Sequence, residues 1–209
     1  MESATFDLSD MFGVALRLSD EDRRLLDSAR AVFITHGFRR TTIDDIARRA
    51  GVTRRTVNRR LGDKDRIVRG VIAREVTAFF TDNAERFTAF DSPTERTIEA
   101  FTAGIVAFHR NPVAQAAIRF EPETLTAMLD PATDGWFTQL RDLVAGQLAY
   151  AMNWDEAQRI TELILRITVS LIISPSDVLP VRTETEARWF ANNVFVPLIE
   201  HGLPGPANP

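Results

Sequence analysis

Four side chains able to read nucleic-acid bases crowd into a stretch of six residues: Arg54, Arg55, Asn58 and Arg59. At the helical turn of about 100° per residue they fall within an arc of about 140°. An arginine fork takes two hydrogen bonds to guanine, and an asparagine amide does the same for adenine. A short helix with these groups outward, and Thr56 at the edge of the arc, suits a major groove. Groups that suit phosphate surround it. Thr53 caps this helix. Thr41 and Thr42 stand at the N-terminus of a helix beginning at Ile43, where backbone N–H groups and hydroxyls bind anions. Arg60 follows the arc. Lys64 opens the next helix after Asp63, where a cation opposes the helix dipole unless an anion approaches.

These side chains need two helices meeting at a tight turn, and the flanking residues supply one. Gly51 stands where a helix C-terminus takes a left-handed residue. Val57 and Leu61 lie off the outward arc and can pack on Ile46, Ala47 and Ala50. The rest of the chain has the same helical period. Strand alternation is absent, and no Asn-Gly or Asp-Gly pair separates alternating runs. The pattern predicts helices near 20–36, 43–50, 54–60, 64–87, 94–110, 112–119, 122–129, 134–152, 155–174 and 184–200. Ser19 with Asp22 is a loose capping arrangement for the first, and Ser92–Pro93 opens the fifth. Residues 1–19 hold Phe6, Leu8, Met11, Phe12, Val14, Leu16 and Leu18, too apolar for a solvated tail and expected to pack on the core. The tail 202–209, with three prolines, is expected to be disordered.

Composition narrows the class. The 209 residues hold 25 basic and 29 acidic side chains, a net charge of −4, and no cysteine, so disulfides and thiolate metal sites are excluded. Residues 20–70 carry 14 Arg/Lys against 8 Asp/Glu, a local balance of +6, so the remainder carries −10. A basic module on an acidic body suits one polyanion-binding face. Lys64 is the single lysine; the arginine bias fits phosphate and guanine recognition, and equally a GC-rich genome. No apolar run reaches the length of about 18 residues that a membrane span needs, and the acidic start MESATFDLSD is unlike a signal peptide, so an intracellular, cytoplasmic protein is expected. Catalysis finds no support. His36, His109 and His201 are scattered without carboxylates at metal-ligand spacing, and neither a Gly-rich phosphate loop nor a Gly-x-Ser-x-Gly elbow occurs. No cofactor and no metal are expected.

Residues 24–75 resemble the TetR family of bacterial one-component transcriptional regulators, through LLDSARAVFITHGF at 25–38, TTIDDIARRAGV at 41–52 and TRRTVNRRLGDKD at 53–65. Leu25, Leu26, Ala29, Val32, Phe33, Gly37 and Phe38 carry the family's first-helix pattern. The chain departs from the family at Asn58, Arg60 and Leu61, where aromatic residues are usual, and at Arg55, a place that is often small. Arg60 would replace an aromatic backbone contact by a salt-sensitive one, and Asn58 would be free to read a base edge. The departures point to an unusual, G-rich half-site.

The resemblance implies an all-α protein: an N-terminal three-helix helix-turn-helix DNA-binding domain plus a larger helical ligand-binding and dimerisation domain. The expected boundaries are 1–19 extension, 20–66 DNA-binding domain, 67–201 ligand-binding and dimerisation domain, and 202–209 tail. The implied function is a homodimeric repressor of an inverted-repeat operator in double-stranded DNA, released by a small effector. Phe101, Ile105, Phe108, Phe120, Leu125, Met128, Trp136, Phe137 and Leu140 are the candidate pocket residues. Such stripes also build ordinary core; pockets between bundle helices are lined the same way. Few charges fall among them, which favours an apolar or amphipathic ligand.

The segment 163–173 is apolar nearly all round, so it must be buried on more than one side. Ile164, Ile167, Thr168 and Leu171, with Trp189, Phe190, Asn193, Val194 and Pro197 of the last helix, are the candidate dimer interface in a four-helix arrangement. A monomer core fits the same periodicity, and the resemblance tips the reading to an interface. Two further functions stay open on the residues alone. One is a weakly specific architectural DNA-binding protein with no effector. The other is a small-molecule binder or enzyme whose helix-turn-helix is vestigial.

Overall fold

The computed structural model describes residues 18–123, 136–149 and 151–203, with the side chains of Thr88, Trp136 and Gln147 left aside. The apolar stretch before residue 18, most of the helix expected near 122–129, and the candidates Leu125 and Met128 therefore lie outside the described residues, as does the Trp136 side chain. No strand occurs among the described residues. The helices are α1 (Asp20–His36), α2 (Ile43–Ala50), α3 (Arg54–Leu61), α4 (Lys64–Asp82), α5 (Ala84–Thr88), α6 (Pro93–Arg110), α7 (Pro112–Phe120), α8 (Trp136–Leu148), α9 (Trp154–Ile173), α10 (Glu184–Phe190) and α11 (Val196–His201). None of them is long and apolar enough to cross a membrane.

Short side chains set where these helices begin. Ser19 Oγ accepts from the Asp22 N–H at 3.2 Å, and the Asp22 carboxylate accepts from the Ser19 N–H at 3.3 Å, a complete capping box. Thr42 with Asp45 opens α2 in the same way, and Thr183 with Glu186 opens α10. Asn153 caps α9. Asn111 caps α7 ahead of Pro112, its Oδ1 accepting from the N–H groups of Val113 and Ala114.

Two expected helices are interrupted. The run expected over 64–87 divides at Asn83, whose φ of −109° and ψ of 6° leave the helical range, giving α4 and α5. The run expected over 184–200 widens into a π-helical turn at Ala191–Phe195 between α10 and α11. Pro197 explains it. Proline has no N–H to donate and its ring crowds the carbonyl four residues back, and one extra residue in the turn relieves that conflict. The Val196 N–H reaches back to the Ala191 carbonyl, and the Asn193 amide donates to the Trp189 carbonyl at 2.8 Å.

The chain forms two compact units. The first runs through Thr81 and takes in 111–122; the second holds 82–110 and the residues from Glu123 onward. The first unit thus extends past residue 66, where the sequence places the boundary, and includes α7. Its core is built from Ala29 and Phe33 of α1, Ile46 of α2, Val57 of α3 and Ile67 of α4, all at 0% exposure. Burying each of the larger of these side chains is worth about 1.5–3 kcal/mol. Gly70 of α4 lies against Leu26, so close that a Cβ there would stand 3.3 Å from Leu26 Cδ2. α7 packs on α1 and buries Val113, Ala116 and Ala117.

In the second unit α6 is the central element, packed by α5, α8, α10, the π turn and α11, while α8 packs on α9. Phe101 of α6 meets Phe195 edge-on at 4.9 Å between ring centroids and Phe190 at 5.9 Å. Beside them the buried Glu99 carboxylate accepts from Arg86 of α5 and Arg188 of α10. Of the expected tail 202–209, residues 204–209 lie outside the described residues. Leu203 is tied to α9: its N–H donates to Glu156 at 3.2 Å and its carbonyl accepts from Arg159 at 3.1 Å.

Candidate nucleic-acid interface

The turn between α2 and α3 is closed by Gly51, at φ 68° and ψ 27°, whose N–H reaches the Arg48 carbonyl while the Val52 N–H reaches that of Ala47. Thr53 then caps α3: its Oγ1 accepts from the Thr56 N–H at 3.2 Å and lies 3.0 Å from the Thr56 hydroxyl. Val57 and Leu61 are buried against the core. The opposite face of α3 is therefore the exposed one, and it carries Arg54, Arg55, Asn58 and Arg59.

These side chains are not alike. Arg54 Nη1 donates to Asp44 of α2 at 3.1 Å, across the turn. Both partners are more than half exposed, so the pair orders Arg54 at little energetic cost to any competitor. Arg55, Asn58 and Arg59 are exposed and have no side-chain partner among the described residues. The structure thus brings the base-reading candidates together on one surface and leaves three of them uncommitted.

The phosphate candidates divide further, with two corrections. Thr41 is 1% exposed, and its hydroxyl donates to the Gly37 carbonyl at 2.6 Å; it braces the loop before α2 and offers no group to a phosphate. Arg60 turns back to the N-terminal acids of α1, donating to Glu21 and to Asp22 Oδ1, the latter at 3.2 Å. It rivets α3 to α1 because the capping acids of α1 lie within its reach. Asp22 is held below the usual carboxylate range, chiefly by the Ser19 hydroxyl and then by Arg60, against the opposing effect of burial. Thr42 stays exposed, with its hydroxyl 2.6 Å from the Asp45 carboxylate. Lys64 follows Asp63, which caps α4 by accepting from the Arg66 N–H at 2.8 Å. Its Nζ donates to the Arg39 carbonyl at 2.7 Å, which places the ammonium beside the loop that leads into α2.

Sequence reasoning passed over Arg40 and Arg49, both exposed in this unit and without a partner among the described residues. It also passed over Glu121, whose carboxylate accepts from the Arg39 N–H. The arginines were visible as charge in a basic segment; the glutamate, 82 residues from Arg39, had no local signal.

The pocket candidates do not form one group. Phe101, Ile105 and Phe137 are buried in the second unit, and Arg166 lies over the Phe137 ring at 5.2 Å. Phe108 and Leu140 are half-buried. Phe120 lies in the first unit, packed at Gly37. Of the interface candidates, Ile164, Leu171 and Phe190 are buried within the chain; Phe190 is spent on Phe101 and Phe195 and has no face left for a partner. Ile167, Thr168 and Val194 are half-buried, while Asn193, Pro197 and Trp189 are exposed, Trp189 at 48%.

Residues 25–71 match the family model of the bacterial regulatory proteins, tetR family. No curated protein sequence matches the chain. Solved structures that share its fold include two TetR family proteins. The TetR family repressor AlkX from Dietzia sp. strain DQ12-45-1b, implicated in biodegradation of n-alkanes, is 15% identical, with 89% of this chain and 98% of that one covered at a TM-score of 0.63. The TetR family transcriptional regulator PfmR from Thermus thermophilus is 17% identical, with 90% and 100% covered at a TM-score of 0.55.

Proposed function

We propose, from the match of residues 25–71 to the family model of the bacterial regulatory proteins, tetR family, that the chain is a ligand-responsive repressor that reads an inverted-repeat operator as a homodimer. The observation that carries the reading is the exposed face of α3, where Arg55, Asn58 and Arg59 stand uncommitted between Arg54 and Arg60, both of which are held by carboxylates. A rigid helix with a few free, bidentate-capable side chains is what direct readout of guanine and adenine requires. The exposed N-terminus of α2 at Thr42, the N-terminus of α3 at Thr53, and Lys64 take the flanking phosphates. Two such helices set about 34–36 Å apart would enter successive major grooves. The partner surface is the exposed side of Trp189, Asn193 and Pro197 with Ile167, Thr168 and Val194.

The effector is a small apolar or amphipathic molecule taken up by the second unit. Its support is the buried aromatic and aliphatic side chains Phe101, Ile105 and Phe137 of the second unit, where Glu99, the most buried carboxylate among the described residues of that unit, is already neutralised by two arginines. Such a ligand acts by binding one dimer geometry better than the other, and shifts the equilibrium by no more than that difference.

Selection of randomised duplex DNA by the purified protein at near-physiological salt tests the reading. Recovery of an inverted repeat is the expected result. Recovery of no motif, with binding that vanishes as salt rises, would favour a weakly specific architectural protein. On the selected operator, Arg55→Ala and Arg59→Ala are each expected to lose about 1–3 kcal/mol and to relax choice at one position per half-site. Fluorescence anisotropy on single-base operator variants reads this out; equal losses on operator and scrambled duplex would sink the assignment of these two arginines to bases.

A further inference from the structure

The loop from Gly37 to Thr41, which delivers the chain to α2, is held at three successive points. The Thr41 hydroxyl donates to the Gly37 carbonyl at 2.6 Å. The Arg39 N–H donates to Glu121, and the Arg39 carbonyl accepts from Lys64 Nζ at 2.7 Å. One peptide residue thus has a carboxylate on its N–H side and an ammonium on its carbonyl side. Glu121 is 3% exposed. A carboxylate so placed is a strong acceptor, and hydrogen bonds in a chain polarise one another, so it strengthens the Arg39 residue's hold on Lys64.

Glu121 comes from outside the helix-turn-helix. It directly follows α7, which buries its apolar face on α1 and is anchored at its other end by Asn111. The Asn111 amide donates to Glu75 Oε2 at 2.5 Å, and Glu75 is paired with Arg30 of α1 at 2.6 Å. Gly37 leaves room for the docking: a Cβ there would stand 2.8 Å from Phe120 Cβ and 3.0 Å from Glu121 Oε1. All these groups lie in the first unit.

We propose that Glu121 is a positioning residue for DNA binding, which fixes the Arg39 peptide so that Lys64 and the N-terminus of α2 present one preformed clamp to a phosphate. The inference rests on Lys64 meeting phosphate in the proposed function. Glu121 touches no DNA. It acts through the loop, and α7 is a structural part of the DNA-binding unit although it lies far from it in sequence.

The test uses the full chain, the operator recovered by selection and a scrambled duplex; if selection returns no motif, two random duplexes serve. Glu121→Ala is expected to weaken binding to both duplexes about fivefold to tenfold in parallel, and to lower the slope of log affinity against log salt by about one phosphate contact. Lys64→Ala should lower the slope equally, and the double variant should add little to either single one, since the two residues act as one unit. Glu121→Gln, which keeps an acceptor oxygen and loses the charge, should fall between Glu121→Ala and the wild type, and stands in for it if the alanine variant does not fold. A buried residue with a merely structural role would lower the melting temperature and leave the salt slope of the folded protein alone. Unchanged slope in both Glu121 variants, or full additivity with Lys64→Ala, would overturn the proposal. Failure of the wild type to bind any duplex would instead overturn the function on which it rests.

Discussion

Replacing Gly37 by alanine is expected to lower stability by about 3 kcal/mol, a large loss for the addition of a single methyl group. Gly37 sits at φ 78° and ψ 170°, a region that only glycine occupies without strain. The added methyl would also stand 2.8 Å from Phe120 Cβ and 3.1 Å from Phe120 Cγ. The first of these atoms belongs to the fixed base of a side chain, so relief requires α7 to shift on α1. Gly51 is the internal control. It too has positive φ, but at 68° and 27° it lies in the left-handed helical region, and nothing lies within 4 Å of a Cβ built there. Gly51→Ala should therefore cost only about 1 kcal/mol. Thermal denaturation of the two variants side by side decides. For a chain of this size the Gly37 variant should melt roughly 10 °C below the wild type and the Gly51 variant by about a third of that. Equal shifts would mean that the approach of Phe120 contributes nothing.

Glu99→Ala is the second large effect, expected at about 2–3 kcal/mol. The carboxylate is 7% exposed and joins three helices, α5 through Arg86, α6 through itself and α10 through Arg188. Its loss strands two guanidinium groups. Both are more than a third exposed and keep Glu184 at 3.4 and 3.6 Å, so water and that second carboxylate limit the cost, and a fully buried pair would lose more. Glu99→Gln, with one acceptor retained, should cost about half as much.

The interaction also carries a pH signature. Hydrogen bonding from Arg188, and then from Arg86, holds the Glu99 carboxyl below its ordinary range against the opposing effect of burial. As pH falls the unfolded chain takes up this proton first. The stabilisation is therefore complete above the unfolded glutamate value of about 4.3 and disappears as pH drops through the lower folded value. The gap in melting temperature between wild type and Glu99→Gln should be constant near neutrality and narrow below about pH 4. A gap that persists unchanged in acid would show that the variant acts through packing alone.

The helix-turn-helix was legible because its determinants are local. Thr42 with Asp45, Gly51, and Thr53 fix the ends of α2 and α3 within three or four residues of themselves. The outward arc of α3 follows from the burial of Val57 and Leu61. What local spacing could not show was where a polar side chain turns when two directions are open. Thr41 faces the Gly37 carbonyl, and Arg60 faces the acids of α1, which lie 38 and 39 residues away in sequence. Pro197 was visible, but proline inside a helical run is met either by a break or by a widened turn, and its spacing alone does not choose between them; here the turn widens. The stripe from Phe101 to Leu140 read as one group because one-dimensional proximity was the only measure; the structure assigns Phe120 to the first unit and Phe101 and Phe137 to the second.

The inclusion of α7 in the first unit bears on modularity. A graft that treats the first 81 residues as a portable DNA-reading head would cut away the residues that cover α1, leaving a hydrophobic scar where Val113, Ala116 and Ala117 had been. Exchange of heads between relatives must therefore carry two separate pieces of chain, 111–122 along with the N-terminal piece, or must repaint the exposed face of α1 with polar side chains. Selection on this chain acts under the same bond: a substitution in α7 is inherited as a change to the reading head, whatever it does for the segment in which it is encoded.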